Sequence, residues 1–135
     1  MINILFEDLE TLDGKTFNGW FEWNREQEVE ITFDFSKSKD LHSSFQKYLH
    51  VLNIVKENET FFFEKGLEKN IDEEDEEDEE DEEGTAVDID YTDIIGIEFD
   101  ENGYFSIGYF IPLIGALLLQ FSESGELIDS QLDFR

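Results

Sequence analysis

Twelve consecutive acidic residues, four copies of Asp-Glu-Glu over residues 72–83, set the strongest constraint on how this chain can fold. Ionised carboxylates without partners are very costly to bury, so the tract cannot enter a core. A free helix is also disfavoured, because like charges three and four residues apart repel each other. The tract therefore predicts a disordered acidic loop over residues 70–86, which separates two halves of a single domain spanning residues 1–135.

The rest of the chain is acidic even without the tract. The formal net charge is −27, and the residues outside the tract still carry 24 acidic against nine basic side chains. Direct binding to nucleic acid or to an anionic membrane is not expected, since both require a cationic surface. A basic protein partner is expected instead. The tract is either a solvated spacer or an electrostatic lure for such a partner, which includes mimicry of a nucleic-acid backbone.

The composition also restricts the compartment. The chain contains no cysteine, which excludes disulfides, thiol nucleophiles and cysteine-based metal sites. Its beginning lacks the basic region of a signal peptide. The longest apolar run, residues 109–119, is interrupted by Pro112 and Gly115 and is shorter than the ~20 residues of a membrane span. These features predict a cytoplasmic protein that does not enter a membrane.

Alternation of apolar and polar side chains predicts three strands in the N-terminal half, over residues 2–9, 15–24 and 27–36. The third is the clearest, since one face carries four apolar residues: Val29, Ile31, Phe33 and Phe35. Such a period of two is typical of a half-buried antiparallel strand. Asp13 and Gly14 indicate a type I′ hairpin turn between the first two strands. The N-terminal half is therefore predicted to form a three-stranded meander.

The period then changes to three and four residues, which predicts a helix over residues 39–57 with an apolar stripe. The stripe comprises Leu41, Phe45, Tyr48, Leu49, Leu52 and Val55. Either Ser38 or Asp40 can cap its first turn. The following segment, residues 60–63, contains three phenylalanines and fits either a short strand or a last helical turn.

Alternation returns after the tract and predicts a second meander. Its predicted inward-facing sets are Ile95, Ile97 and Phe99; Phe105, Ile107 and Tyr109; and Ile128, Leu132 and Phe134. Residues 116–121 are almost continuously apolar, which predicts a strand covered on both faces. The predicted fold class is α+β: a mainly antiparallel sheet of six or seven strands in two meanders, with one long amphipathic helix packed on one face.

The predicted partner-binding residues lie on the polar face of the first meander: Trp20, Glu28, Glu30 and Asp34. An exposed tryptophan among carboxylates is a good interface anchor, since tryptophan is enriched in binding hot spots. Alternatively, Trp20 is covered by a loop or by the Phe61–Phe63 segment, whereas Phe21 and Trp23 fall on the apolar face and are expected in the core.

No catalytic, cofactor-binding or metal-binding residue is predicted. Residues 98–103 begin like an EF-hand loop, but the twelfth position is Tyr109 rather than the required glutamate, so a hairpin turn is expected. His42 and His50 lie eight residues apart on the helix, about 12 Å along its axis, and cannot bind one metal ion. Motifs of nucleophilic, phosphate-binding and zinc enzymes are missing, which argues against an enzyme.

The sequence of the C-terminal strand–turn–strand segments resembles that of small acidic bacterial proteins of the toxin-immunity type. The likeness rests on residues 94–105 (IIGIEFDENGYF) and 119–127 (LQFSESGEL). It implies a one-domain protein that binds and neutralises a partner without chemistry of its own. Together, charge and resemblance predict a non-enzymatic acidic protein that engages a basic partner, such as an immunity or inhibitor protein. The alternative is a structural or accessory domain whose acidic loop is solubilising or binds cations loosely.

Overall fold

The computed structural model describes residues 4–23, 27–71, 89 and 92–134, so the acidic tract lies outside the described residues. Two helices are present in this part, α1 (Leu41–Glu57) and α2 (Glu59–Ile71). The strands are β1 (Glu10–Thr11), β2 (Thr16–Glu22), β3 (Glu28–Asp34), β4 (Asp93–Phe99), β5 (Phe105–Ile111), β6 (Gly115–Phe121) and β7 (Leu127–Phe134).

The described strands form one seven-stranded sheet whose spatial order follows the chain, from β1 to β7. All neighbouring strands are antiparallel except β3 and β4, which run parallel because the chain crosses between them through both helices. The Gln27 side chain extends this parallel contact, since it donates to Thr92 O and accepts from Ile94 N. The α+β class and the mainly antiparallel seven-stranded sheet are therefore confirmed.

The prediction of a single long helix is wrong, because a second helix follows the first after one residue. Asn58 leaves helical geometry between them, and its side chain donates to the Ile54 carbonyl at 2.9 Å. The ambiguous segment at residues 60–63 belongs to α2, which continues through the first two residues of the predicted acidic loop. Asp40 caps α1 by accepting from Ser43 N, and this hydrogen bond lowers the pKa of its carboxyl.

The N-terminal segment is a 3-10 turn at Phe6–Asp8 followed by the two-residue β1, rather than the predicted strand over residues 2–9. Ile4, Phe6 and Leu9 pack against the core, where the Phe6 ring centroid lies 5.5 Å from those of Phe17 and Phe45, whereas Leu5 is exposed. The β1–β2 turn is not of type I′ either. Only Gly14 has positive φ there, and Asp13 Oδ1 instead accepts the backbone N–H groups of Thr16 and Lys15, which lower its pKa.

The core contains a row of five phenylalanines in register across five strands. The strand pairings align, in order, Phe17, Phe33, Phe99, Phe105 and Phe121. From Phe33 onward the neighbouring ring centroids are 5.2, 4.6 and 5.0 Å apart and the rings are stacked. Helix α1 covers this row at the β3–β4 end, where Tyr48 stacks on Phe99 at 4.8 Å. The phenylalanine row thus fixes which face of the sheet the helices cover.

Helix α2 approaches the sheet closely at Gly66, over β6 and β7. A Cβ atom at Gly66 would lie 2.2 Å from Leu119 Cδ2 and 3.3 Å from Ser130 Cβ. The Ser130 hydroxyl donates to the Gly66 carbonyl at 3.1 Å. The helix can lie this low only because residue 66 has no side chain, which explains a glycine in the middle of a helix.

We expect Gly66→Ala to destabilise the protein by about 1–3 kcal/mol, although alanine is the better helix former. The added methyl group collides with the buried Leu119, and overpacking of a filled core exceeds the ~1 kcal/mol gain in helix propensity. Urea unfolding measures the change. Combining the substitution with Leu119→Ala should cost less than the two single changes added together, and strict additivity would contradict the collision.

Two β-bulges overturn predicted inward-facing positions in the second meander. The irregularity between Ile94 and Gly96 leaves Ile95 58% exposed on the face opposite the helices, and the one at residues 120–121 leaves Ile128 49% exposed. Ser130 is buried next to Leu119 instead. An inserted residue reverses the faces of the positions beyond it, which alternation alone does not reveal. The described elements cover β6 on one face only, rather than on both as predicted, and Leu118 lies half-buried on the other face.

Candidate functional site

On the sheet face that points away from the helices, called the open face below, the charged side chains of the described strands are all acidic. The seven described strands contain no lysine, arginine or histidine and carry nine acidic residues: Glu10, Glu22, Glu28, Glu30, Asp34, Asp93, Glu98, Asp129 and Asp133. All nine alternate with the core positions and therefore project to the open face. The helices, in contrast, carry four lysines and four glutamates. Among the described elements, the strands are therefore negative and the helices balanced.

Three of the four predicted partner-binding residues lie together at the β2–β3 end of this face. Trp20 is opposite Glu30, and Glu28 is opposite Glu22. The Trp20 side chain is 64% exposed, and the Phe61–Phe63 segment does not cover it, because that segment lies in α2 on the other side of the sheet. Asp34 stands apart, four residues along β3 from Glu30, which separates them by about 13 Å.

Asn18 orients the acidic group beside Trp20. Its Nδ2 donates to Glu30 Oε2 at 3.3 Å and to Thr32 Oγ1 at 3.0 Å. The amide belongs to a polar row across all seven strands: Glu10, Asn18, Thr32, Glu98, Ser106, Gln120 and Asp129. This row gives the open face a band of hydrogen-bonding groups next to its exposed apolar side chains.

A shallow depression of about 360 Å³ lies at the centre of the open face. Its floor is the cross-strand pair of Gly96 and Gly108, where no side chain rises from the sheet. Ile95 and Leu118 stand on its apolar side and Glu98 on its polar side. Sequence reasoning missed this feature, because Ile95 reaches the open face only through a bulge. The pairing of two glycines on neighbouring strands also leaves no periodic signal.

In the described part of the chain, most open-face carboxylates have no base within ion-pair distance. Among the residues that the structure describes, Asp129 alone of the nine has a base within ion-pair distance, Lys69 Nζ at 2.9 Å. That hydrogen bond, assisted by the Ser130 backbone, holds the pKa of Asp129 below its ordinary value. The negative charge of the other eight acids is therefore not reduced by an ion pair to any described base.

The part of the chain with described coordinates holds no group of three or more histidine, cysteine or acidic residues placed to bind a metal ion. The EF-hand-like start at residues 98–103 forms the β4–β5 hairpin turn, as expected. There Asp100 Oδ1 accepts the backbone N–H groups of Asn102 and Tyr104. His42 and His50 are both exposed on α1, and the His42 ring lies against Phe6 at 4.4 Å.

A buried glutamate at the start of α2 escaped sequence reasoning. Glu59 is 8% exposed, and its Oε2 accepts hydrogen bonds of 2.8 Å from both Trp23 Nε1 and the Tyr109 hydroxyl. The three side chains tie the first turn of α2 to the end of β2 and to β5. Trp23 and Tyr109 were expected in the core as part of the apolar faces of their strands. No local sequence pattern marks Glu59 as the acceptor of their hydrogen bonds.

Comparisons with protein-family models, curated proteins and solved structures give no match to this chain. Within the described part, neither helix is long and apolar enough to cross a membrane.

Proposed function

We propose that this chain is a non-enzymatic acidic binding protein that engages a basic protein partner through its open face. The observation that carries the proposal is the charge distribution, with nine acids and no base in the described strands against balanced helices. A sheet whose second face is not covered by other described elements is a broad, rigid platform. The negative charge of this platform favours a cationic partner and disfavours nucleic acid and anionic lipid.

Binding would proceed in two stages. The negative field first steers a cationic protein towards the open face, and complementary charge of this kind raises association rates by about 10 to 10³. Apolar anchors then dock, namely Trp20 at one end of the face and Ile95 with Leu118 around the glycine depression. Aromatic and aliphatic anchors surrounded by polar groups form the usual energetic centre of an interface.

The partner that fits best is a protein with an exposed cationic site, such as the substrate groove of a nucleic-acid-directed toxin. An immunity or inhibitor protein of the bacterial cytoplasm would cover that groove with Glu28, Glu30 and Asp34 in place of phosphates. The tract at residues 72–83 would add to the steering field, while the open face supplies the specific contacts.

We expect Trp20→Ala to weaken partner binding by at least about tenfold, as is typical of a tryptophan hot spot. Immobilised protein should capture basic proteins from a lysate at low salt and release them at high salt. The affinity for a partner purified in this way is then measured by calorimetry. Phe61→Ala is the matched control, because Phe61 is similarly exposed, at 56%, but lies on the helical side.

Two results obtained with the acidic tract in place would overturn the proposal. One is capture that is unchanged between low and high salt, since steering by exposed charges is screened within about 8 Å at physiological ionic strength. The other is an affinity that falls with Phe61→Ala but not with Trp20→Ala. A further arm deletes residues 72–83, and loss of all binding in that variant would place the contacts in the tract rather than on the open face.

A further inference from the structure

The two edges of the sheet are treated differently. At the β7 edge, Leu132 N donates to Asn70 Oδ1 at 3.2 Å, and Lys69 pairs with Asp129. Side chains at the end of α2 thus satisfy the Leu132 N–H and neutralise Asp129, two groups that an added strand would otherwise contact. Natural sheets commonly protect their edges against strand addition in this way.

At the other end of the sheet, the two-residue β1 pairs with only part of β2, and the rest of that side of β2, called the β2 edge, has no such side-chain cap among the described residues. Trp23 N donates to Gln27 O at 2.7 Å, and Phe35 N donates to Lys15 O at 2.8 Å. Hydrogen-bonded pairs alternate along an antiparallel ladder, so odd-numbered residues of β2 direct their N–H and C=O groups to β3. Even-numbered residues direct theirs to the opposite side, where β1 pairs only with Phe17 and Asn18. The backbone groups of Trp20 and Glu22 therefore point outward past the end of β1.

A groove of about 860 Å³ accompanies this edge. It is lined by Asp8, Glu10, Thr11, Leu12, Asn18, Gly19, Trp20 and Glu30. Three of these side chains are carboxylates, and the exposed Trp20 ring stands beside them. The groove meets β2 at Asn18, Gly19 and Trp20, and the outward backbone groups of Trp20 and Glu22 lie along the same side of the strand. Residues 19–22 are called the β2 edge segment below.

We propose that the β2 edge segment binds an extended, basic segment of the partner as an added strand, which pairs with β2 past the end of β1. This inference rests on the proposed function for the sign of the partner's charge and adds the mode of binding. Main-chain hydrogen bonds to Trp20 and Glu22 supply affinity, and alternate side chains supply specificity. A lysine or arginine opposite Trp20 lies on the same face as the indole ring and is stabilised by cation–π attraction and by Glu30.

A second copy of this chain fits the edge poorly. Two β2 edges brought together would place the glutamates of one copy, including Glu10 and Glu22, near those of the other. Like charges opposite each other on paired strands are destabilising. With a net charge of −27 on each chain, association of two copies also works against long-range repulsion. Charge complementarity therefore selects a basic segment.

The first test uses a synthetic octapeptide of alternating lysine and valine as the probe. Amide hydrogen exchange of the full chain is followed by NMR with and without the peptide. We expect the Trp20 and Glu22 amides to exchange rapidly in the free protein and to slow by at least about tenfold when the peptide binds. The Phe21 amide, which faces β3, should be protected in both states.

The same peptide N-methylated on its central residues keeps its charge but cannot form strand hydrogen bonds, and should bind at least about tenfold more weakly.

The second test compares Glu22→Pro with Glu22→Gln. Both changes remove the charge, but only proline removes the outward N–H, and an outward-facing position on an edge strand tolerates proline. Relative to Glu22→Gln, we expect Glu22→Pro to bind the octapeptide about three- to tenfold more weakly. Circular dichroism and the melting temperature verify the fold. If Glu22→Pro does not fold, the N-methylated peptide on the unchanged protein decides the question.

The outcomes separate this inference from the proposed function. Equal binding of both peptides, with salt dependence and a change in Trp20 fluorescence, would keep the acidic docking face and overturn strand addition. No binding of either peptide would overturn strand addition as well, whereas retained capture of basic proteins would leave the proposed function standing. A free protein that sediments as a dimer, and as a monomer when it carries Glu22→Pro, would assign the edge to a second copy and overturn the basic segment.

Discussion

Phe33→Ala should lower the free energy of unfolding by about 3–5 kcal/mol, the usual cost of removing a phenylalanine from a core. Phe33 is 0% exposed and occupies the junction between the two halves of the sheet. Its ring is stacked on Phe99 of β4 at 5.2 Å and lies edge-on to Phe45 of α1 at 5.5 Å. One truncation therefore removes contacts from the parallel β3–β4 pair and from the helix that crosses over it.

Urea unfolding and calorimetry measure this loss, and the melting temperature should fall by roughly 10–20 °C. Phe61→Ala is the matched control, because it deletes the same side chain from an exposed position and should change stability by less than about 0.5 kcal/mol. If Phe33→Ala cost no more than the control, the row of phenylalanines would not be the core of the sheet.

Much of this core was predictable from the sequence. In β3, strict alternation over four apolar positions identified the buried face, since a strand between a solvent side and a core must repeat every two residues. The apolar stripe of the first helix was equally clear, and α1 ends at Glu57, the last residue of the predicted range 39–57. Both patterns are local, because each depends only on the residues of one element and on which of its faces is exposed to solvent.

The features that were not predictable depend on residues far apart in the chain. Ile95 reaches the open face because β4 gains one residue relative to β5, and a bulge is defined by the partner strand. Gly66 lies inside α2, where Leu119 on β6 leaves no room for a side chain. Local propensity favours a break at glycine, and tertiary packing reversed that preference.

The candidate partner surface was predicted in part for the same reason. Trp20, Glu28 and Glu30 were placed on the polar face by alternation alone, and the strand register then brought Trp20 opposite Glu30. The glycine depression and the unprotected edge of β2 needed the sheet order and the length of β1, which no single segment encodes. Charge, in contrast, could be read from composition, but its segregation to one face appeared only with the topology.

The second large effect is expected for Glu59→Ala, which should cost about 2–6 kcal/mol. Trp23 Nε1 and the Tyr109 hydroxyl share Glu59 Oε2 as their acceptor, each at 2.8 Å, and the substitution removes it from both. A buried donor that loses its acceptor costs about 1–3 kcal/mol, so two such donors give the range. The effect should extend beyond α2, since the donors belong to β2 and β5.

Glu64→Ala serves as the control, because Glu64 lies in the same helix but is exposed, and its removal should change stability by less than about 0.5 kcal/mol. With Trp20 replaced by phenylalanine, Trp23 is the sole tryptophan, and its emission should shift to the red in Glu59→Ala as water reaches the indole. The single change Trp23→Phe removes one donor but keeps the acceptor, so a double-mutant cycle with Glu59→Ala should show strong coupling. Additive costs would mean that this carboxylate does not hold the end of β2 against α2, and that the cost of Glu59→Ala arises from lost packing alone.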